Sequence, residues 1–400
     1  MTREEVSQLG LEGIKHKAII LELCTGMGKT KIAIDIINKI CDNNFNLYGS
    51  ETSVLLVVAK SVHKENWLNE IKKWGGLNTD KIIIECYESL KKYKGAYFDA
   101  IIMDEAHHMT ESRLEILESM HIQDNIIALS ATISNDLKQW FCNKYDTKII
   151  SVSLQDAIEN NVLPEPTIYL CPLDLKIGVP TEYIYKNPKA KGNIVECNWA
   201  MRWAYIKQKK YPVKIACNEQ QYLQDLNGQI EWFKKKSLRS QIFKNKWLRL
   251  CGERLKWLSE KKESYILSLL DQFKNYRTLT FCNNIEQTER LGKHCIHSKN
   301  KDANDVLNAF NNKKIKHITS CQMLNEGANL TDCRICIYAN INSSETINTQ
   351  KLGRALRHKK PIIIIPYYRG TREHEIVKDI IKDYNKDLIK VVNNFKDIKL

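Results

Sequence analysis

Short runs of consecutive apolar residues alternate along the chain with stretches whose apolar positions recur every three or four residues. Ala18–Leu23 (AIILEL) is the first such run. It is followed by CTGMGKT and then by KIAIDIINKI, which has helical spacing. Val54–Ala59 opens a second cycle, and Trp67, Leu68, Ile71 and Trp74 mark the helix after it. Ile82–Ile84, Ala100–Met103 and Ile126–Leu129 add three more short runs. Unbroken apolar runs separated by helices predict strands buried on both faces, hence a parallel sheet covered by helices. The cycle resumes with Thr278–Phe281, Ile315–Thr319, Ile335–Tyr338 and Pro361–Pro366, with helices over 285–293 and 302–310. The chain therefore reads as α/β in two units, 1–165 and 264–400. Between them, 166–200 carries Pro172, Pro180 and Pro188 and reads as a connecting segment. Residues 219–262 have helical spacing, so 166–263 is expected to be a linker with a mainly helical insert.

Charge changes the picture. The 400 residues carry a formal charge of +14. Residues 200–263 contain 16 Lys/Arg against 6 Asp/Glu, a surplus of ten, which is most of that total. A localised basic surplus favours a polyanionic partner. Five of the eight tryptophans (Trp199, Trp203, Trp232, Trp247 and Trp257) lie in residues 199–262, and Lys234, Lys235 and Lys236 form the densest basic cluster there. Aromatics interleaved with cations suit single-stranded nucleic acid, where rings stack on bases and cations follow phosphates. The ordinary alternative is that Trp247 and Trp257 pack inward and the lysines are solvated.

No apolar run approaches the ~20 residues of a membrane-spanning helix, and MTREEVSQLG lacks the apolar core of a signal peptide. A cytoplasmic location is expected, the host-cell cytoplasm if the richness in Lys, Asn and Ile reflects a phage genome. Thirteen cysteines then imply free thiols in a reducing compartment. Cys333 and Cys336 make a C-x-x-C inside an apolar run, and His294, Cys295 and His297 form a loose cluster. Neither supplies the paired four-ligand spacing of a zinc site.

The most specific chemistry is Thr25-Gly26-Met27-Gly28-Lys29-Thr30 between a strand and a helix. Glycines let the backbone wrap close to phosphate oxygens, with amide N–H groups and the helix N-terminus facing the anion. Lys29 would reach the β- and γ-phosphates of a nucleotide such as ATP, and the Thr30 hydroxyl would hold Mg²⁺. The strict pattern wants glycine at position 23, where this chain has Leu23. The second signal is the run 101–107 (IIMDEAH), an apolar strand ending in two carboxylates. Asp104 can hold Mg²⁺, and Glu105 can polarise the attacking water.

Asp104-Glu105-Ala106-His107 resembles motif II of the superfamily 2 helicases, the DEAD/DEAH-box class. Ser130-Ala131-Thr132 resembles motif III, Leu324–Asp332 (LNEGANLTD) motif V, and Gln350–Arg357 (QKLGRALR) motif VI. The order is that of the family, and the matches bracket residues 18–358. Val57–Trp67 resembles motif Ia with Ala59 where many relatives have proline. Cys86–Leu90 resembles motif Ib with Cys86 for a usual threonine, and Phe281-Cys282-Asn283 resembles motif IV. The compact phage and restriction-enzyme branch is the most similar.

The resemblance implies two tandem RecA-like P-loop domains with ATP between them. Arg354 and Arg357, on one face of a helix, would reach across the cleft to the γ-phosphate, and Gln350 would sense it. Gly327 and Asp332 would also border the nucleotide, and Gln8, separated from Gly26 by 17 residues, would read adenine. His107, Ser130, Ala131 and Thr132 would couple the cleft to a strand of nucleic acid lying across both domains. Lys60, Tyr87, Ser89, Phe281 and Asn283 would contact that strand, with the basic insert. DNA is favoured over RNA, because EGANL and QKLGRALR look closer to DNA-acting relatives. An RNA-dependent ATPase and the motor subunit of a restriction or defence complex are the alternatives. Pro164-Glu165 with Asp174-Leu175-Lys176 only faintly matches a metal-nuclease pattern.

Overall fold

The computed structural model describes all residues except 49–51, 76–80, 179–180, 186–191, 322–329, 342–355, 357 and 383. The first sheet contains β1 (Ala18–Leu23), β2 (Val54–Val58), β3 (Ile82–Cys86), β5 (Ala100–Asp104), β7 (Ile126–Ser130) and β8 (Thr147–Val152). All pair in parallel, in the order β3-β2-β5-β7-β1-β8. A ribbon of β4 (Tyr97–Phe98) and β6 (His121–Ile122) flanks it.

Side chains alternate across the sheet. Ile19, Leu21, Leu56 and Ile102 face helices Lys29–Tyr48 and Ser61–Trp74, which contribute Ile36, Ile40, Trp67 and Ile71. Ile20, Leu55, Val57, Ile101 and Met103 face helices Glu111–Ser119 and Asn135–Lys144, which contribute Leu117 and Phe141. Burial on both faces explains why these strands are apolar throughout rather than alternating.

The second sheet has the order β14-β15-β13-β16-β17-β9-β18 and is again parallel. Its strands are β9 (Thr167–Leu173), β13 (Thr278–Phe281), β14 (Cys295–Ile296), β15 (His317–Ser320), β16 (Ile335–Tyr338), β17 (Ile362–Tyr368) and β18 (Ile389–Val391). β9 corrects the sequence reading. Pro172 demotes TIYLCPL as a strand candidate, yet residues 167–173 pair along all of β17, with Pro172 beside Tyr367. The chain thus enters the second sheet before departing into the insert.

The insert begins with a small sheet, in which β12 (Val213–Cys217) pairs antiparallel with β10 (Thr181–Tyr185) and parallel with β11 (Val195–Asn198). It continues as a hairpin of helices Glu219–Ser237 and Gln241–Lys261. Trp247 packs against Leu226, Ile230 and Leu250 inside the hairpin. Trp257 packs with Leu223, Leu258 and Tyr368 at its base. No helix among the described residues is long and apolar enough to cross a membrane.

The hairpin is anchored by a buried ion pair. Lys262 Nζ donates to Glu373 Oε1 at 2.6 Å and to the Pro366 carbonyl at 3.3 Å, with both side chains sealed from solvent. Glu373 Oε2 accepts the Tyr368 N–H at 3.1 Å. Removing one partner of such a pair strands the other charge in the interior. Lys262→Met is expected to cost about 3–5 kcal/mol of stability. The double variant Lys262→Met/Glu373→Gln should regain most of that, since it removes both charges and keeps an acceptor for Tyr368. Urea denaturation of the single and double variants measures the difference.

Candidate nucleotide site at the strand ends of the first sheet

Parallel pairing sets the site. Asp104 stands beside Leu129, and Leu129 beside Leu21, so β5, β7 and β1 end along one edge within two residues of one another. Three loops leave that edge, after Leu23, Asp104 and Ser130.

The first is the glycine loop. Gly26 has φ 101° and Gly28 φ 86°, in the region that favours glycine. A Cβ on Gly26 would also lie 2.8 Å from Leu163 Cδ2. Met27 is fully buried and pins the loop to the core. Leu23 occupies the place of the missing glycine without harm, because its side chain is buried in the core. Its carbonyl accepts a 3.2 Å hydrogen bond from Lys29 Nζ, and Thr25 and Thr30 are half-buried at the two ends of the loop. Arg3 donates to the Gly26 carbonyl at 2.9 Å.

The second loop carries the carboxylates. Glu105 takes a left-handed conformation, φ 53° and ψ 55°, which is uncommon outside glycine and recurs at functional sites. It turns Glu105 away from the direction of Asp104. The Asp104 carboxylate accepts the Trp67 indole N–H at 2.8 Å, and its carbonyl accepts the Tyr87 hydroxyl at 2.9 Å. Burial, then the neighbouring Glu105 charge, push Asp104 up to about 6 despite the Trp67 hydrogen bond and the Lys29 charge.

The third loop closes the network. Ser130 is fully buried. Its Oγ lies 2.9 Å from His107 Nδ1, 2.8 Å from the Thr132 carbonyl and 3.4 Å from Glu105 Oε2. One hydroxyl proton serves one acceptor, and the Thr132 carbonyl is the nearer, which leaves His107 Nδ1–H to donate to Ser130. His107 Nδ1 is itself 3.4 Å from Glu105 Oε2. Ala131 is buried between these polar neighbours. Glu22, one residue before the end of β1, accepts from Ile133 N at 2.9 Å, Lys138 Nζ at 2.7 Å and Ser151 Oγ at 2.8 Å. It ties the third loop back to β1 and β8.

A cavity of about 750 Å³ opens beside the glycine loop. Arg3, Gly26 and Leu163 line one side, and Leu356, His358 and Asn385 the other. Its volume suits a nucleotide-sized ligand. Of the residues expected from the second unit, Gly327, Gln350, Arg354 and Arg357 lie outside the described residues. Asp332, at φ 54°, pairs with Lys313 at 2.9 Å and lies 3.7 Å from His358. Hydrogen bonding to Lys313 holds its carboxyl below the usual range.

Several expected contacts are placed elsewhere. Gln8 is exposed and hydrogen-bonds Glu12 along its own helix at 3.1 Å; from this helix it is Arg3 that reaches the glycine loop. Tyr87 and Phe281, expected on the nucleic-acid path, are buried. Tyr87 is spent on Asp104, and Phe281 packs edge-on against Tyr338 in the second core. Lys60 is exposed at the start of helix Ser61–Trp74, and Ser89 and Asn283 are half-buried. Lys234 and Lys235 are exposed, while Lys236 sits 3.9 Å over the Trp232 ring.

Sequence reasoning missed Trp67, Glu22 and Arg3 as site residues. Trp67 fits the apolar face of its helix, so its spacing signals only packing; the other two lack a local signal. Among the described residues no three or more His, Cys, Asp or Glu side chains gather as metal ligands. Glu165 and Asp174 flank the seven-residue β9, which separates them by ~30 Å of extended chain, and Asp174 pairs with Arg369 at 2.8 Å. They do not form the faint nuclease pattern.

The raised Asp104 value makes a stability prediction. The folded protein keeps a proton that the unfolded chain has released between the ordinary carboxyl value of 3.8 and about 6, so stability falls as pH rises through that window. Asp104→Asn removes the buried charge while its amide oxygen still accepts from Trp67. The variant should gain about 1–2 kcal/mol at pH 8 and nothing at pH 4. Thermal unfolding at both pH values measures this.

Comparison with known proteins bears on both halves of the chain. The family model for the res subunit of type III restriction enzymes matches residues 3–135, and the model for the helicase conserved C-terminal domain matches 261–359. No curated protein sequence matches. Among solved structures, an HsdR subunit fragment of a type I restriction enzyme from Vibrio vulnificus YJ016 is similar at TM-score 0.56 and 16% identity, covering 97% of this chain and 68% of that one. The Hef helicase domain from Pyrococcus furiosus has TM-score 0.47 and 12% identity, covering 93% and 97%. A DEAD box protein from Methanococcus jannaschii has TM-score 0.42 and 15% identity, covering 97% and 90%. With a helicase-type model on each parallel sheet, in the family's order, the chain belongs to the superfamily 2 helicases, ATP-hydrolysing motors built on two tandem RecA-like domains.

Proposed function

We propose that this chain is a DNA-stimulated ATPase that uses Mg²⁺-ATP in the strand-end cleft to move along single-stranded DNA. The observation that carries the reading is the hydrogen-bonded group Glu105–His107–Ser130 beside the glycine loop. Thr30 and Asp104 would hold Mg²⁺. The fit rests on hard oxygen donors and on a carboxylate that burial penalises without a cation beside it. Bound Mg²⁺ supplies charge neutralisation at the phosphate oxygens.

The chain's own residues do the rest. Lys29 exchanges the Leu23 carbonyl for the terminal phosphates. Glu105, held by its left-handed turn, orients and deprotonates the attacking water. Arg354 and Arg357 from the second domain neutralise charge at the γ-phosphate, so turnover requires closure of the cleft. Gln350, Gly327 and Asp332 complete that side. His107, Ser130, Ala131 and Thr132 report the state of the cleft to the nucleic-acid path. Lys60, Ser89, Asn283 and the insert's Lys234, Lys235 and Lys236 grip phosphates independently of sequence. The domain limits we assign are 1–165, 166–263 and 264–400, with β9 contributed to the second sheet from the middle segment.

The match to a res-subunit model supports a second reading, in which the chain is the motor of a restriction-type assembly. Co-purification of a tagged chain from its native cell would separate that reading from a self-sufficient motor.

Glu105→Gln should bind nucleotide as the wild type does and hydrolyse it at least ~10²-fold more slowly, because the base is lost while Asp104 stays. Steady-state ATPase with oligo(dT) or oligo(rU) tests both the base and the substrate. Stimulation is expected to be larger with DNA, and stimulation by RNA alone would reverse the choice.

Replacing Lys234, Lys235 and Lys236 together by Gln should weaken DNA binding about equally for all sequences. It should also flatten the salt dependence by up to ~0.7 per lost contact in log–log slope. Anisotropy of a labelled oligonucleotide across a salt series measures this, and an unchanged slope would confine the path to the two RecA-like domains.

A further inference from the structure

We propose that Trp67 and Tyr87 are positioning residues that hold Asp104 from two sides and make its orientation depend on the segments that begin at Lys60 and Cys86. The coupling half of this inference rests on the nucleic-acid path proposed above; the positioning half rests on geometry alone.

Trp67 lies in the second turn of helix Ser61–Trp74 and is 3% exposed. Its single N–H is spent on Asp104 Oδ2 at 2.8 Å. A buried indole needs some acceptor, and here it uses the side chain that ends β5. That bond engages one carboxylate oxygen, and the Glu105 backbone N–H adds a further hydrogen bond to the same carboxylate. Tyr87 follows β3 directly and is 2% exposed. Its hydroxyl donates to the Asp104 carbonyl at 2.9 Å. Side chain and backbone of one residue are therefore held by two different segments.

Those segments are tied to each other. Lys64, on the same helix as Trp67, pairs with Glu85 at 3.1 Å, and Glu85 lies two residues before Tyr87. Tyr87 also reaches the rest of the second loop. Its ring centroid lies 5.8 Å from His108, which stacks 4.4 Å from His107. Arg113 bridges the same neighbours, over the Tyr87 ring at 5.3 Å and with a 2.6 Å hydrogen bond to the His108 carbonyl. The Asp104–His108 turn is thus gripped by Trp67 and Tyr87 on one side and by Ser130 on the other. A displacement of helix 61–74 or of segment 87–93 moves the carboxylate that would hold the cation.

Residues that orient a metal ligand typically change metal affinity by 10–100-fold when removed. The test is the Mg²⁺ concentration needed for half-maximal binding of mant-ADP, read by fluorescence, for the full chain with and without oligo(dT). Trp67→Phe keeps an apolar ring and loses the N–H. Tyr87→Phe loses only the hydroxyl, which keeps the test valid if the Trp67 variant folds poorly. Without oligo(dT), each should raise the Mg²⁺ requirement about tenfold while leaving mant-ADP binding in EDTA unchanged, a separation that a merely loosened fold would not produce. In the wild type, oligo(dT) should lower the Mg²⁺ requirement, and in the variants that shift should vanish while oligo(dT) affinity persists. An unchanged Mg²⁺ requirement in both variants overturns the positioning role. A shift that survives in the variants overturns the coupling. A wild type that does not bind oligo(dT) overturns the proposed function and the coupling with it, and the oligo-free titration still decides the positioning role.

Discussion

Parallel register is the constraint on which the rest of the molecule depends. Asp104, Leu129 and Leu21 stand side by side on β5, β7 and β1, so three loops that are remote in sequence leave one edge within two residues of one another. Neighbouring strands lie about 4.8 Å apart, and the chemistry is assembled by backbone pairing before any side chain is chosen. The apolar composition of these strands follows from burial on both faces. A one-residue slip of β5 against β7 would reverse the faces of its side chains and carry Asp104 away from the glycine loop.

Polar groups at that edge are held by more partners than packing requires. Asp104 and Glu22 are each fixed by at least two hydrogen bonds to segments distant in sequence, and Ser130 joins His107 to the carbonyl of its own loop at Thr132. Glu105 stays in a left-handed turn because its neighbours over-determine it. Restraint of this kind is costly to build and suits a site that must have one arrangement when ligand arrives. The second restraint, the sealed Lys262–Glu373 pair, acts at a distance. It fixes the base of the basic hairpin to β17, so the hairpin travels with the second sheet.

Much of this was legible in the chain itself. The strand–glycine–helix order around Gly26, the two acids at the end of β5 and the order of the motifs indicate the fold and the location of the candidate nucleotide site. Composition placed the basic insert, and spacing anticipated that Trp247 and Trp257 face inward. Legibility failed where a residue's role is set by tertiary contact. Tyr87 and Phe281 have the residue types of a nucleic-acid surface, but one is buried under Asp104 and the other in the second core. Gln8 is suitable by position and faces solvent by helix phase. Trp67 has ordinary core periodicity, and only the three-dimensional pairing reveals its carboxylate partner. Pro172 hides β9, because a proline inside a run argues against a strand until a partner along its whole length is seen.

The central claim is that the shared edge of β1, β5 and β7 is where nucleotide is bound and cleaved. Amide hydrogen exchange of the full chain, with and without a non-hydrolysable ATP analogue and Mg²⁺, tests it most directly. Slowed exchange concentrated in residues 24–30, 103–108 and 130–133 is the expected result. Protection confined to other segments, with these three unchanged at saturating nucleotide, would contradict the account.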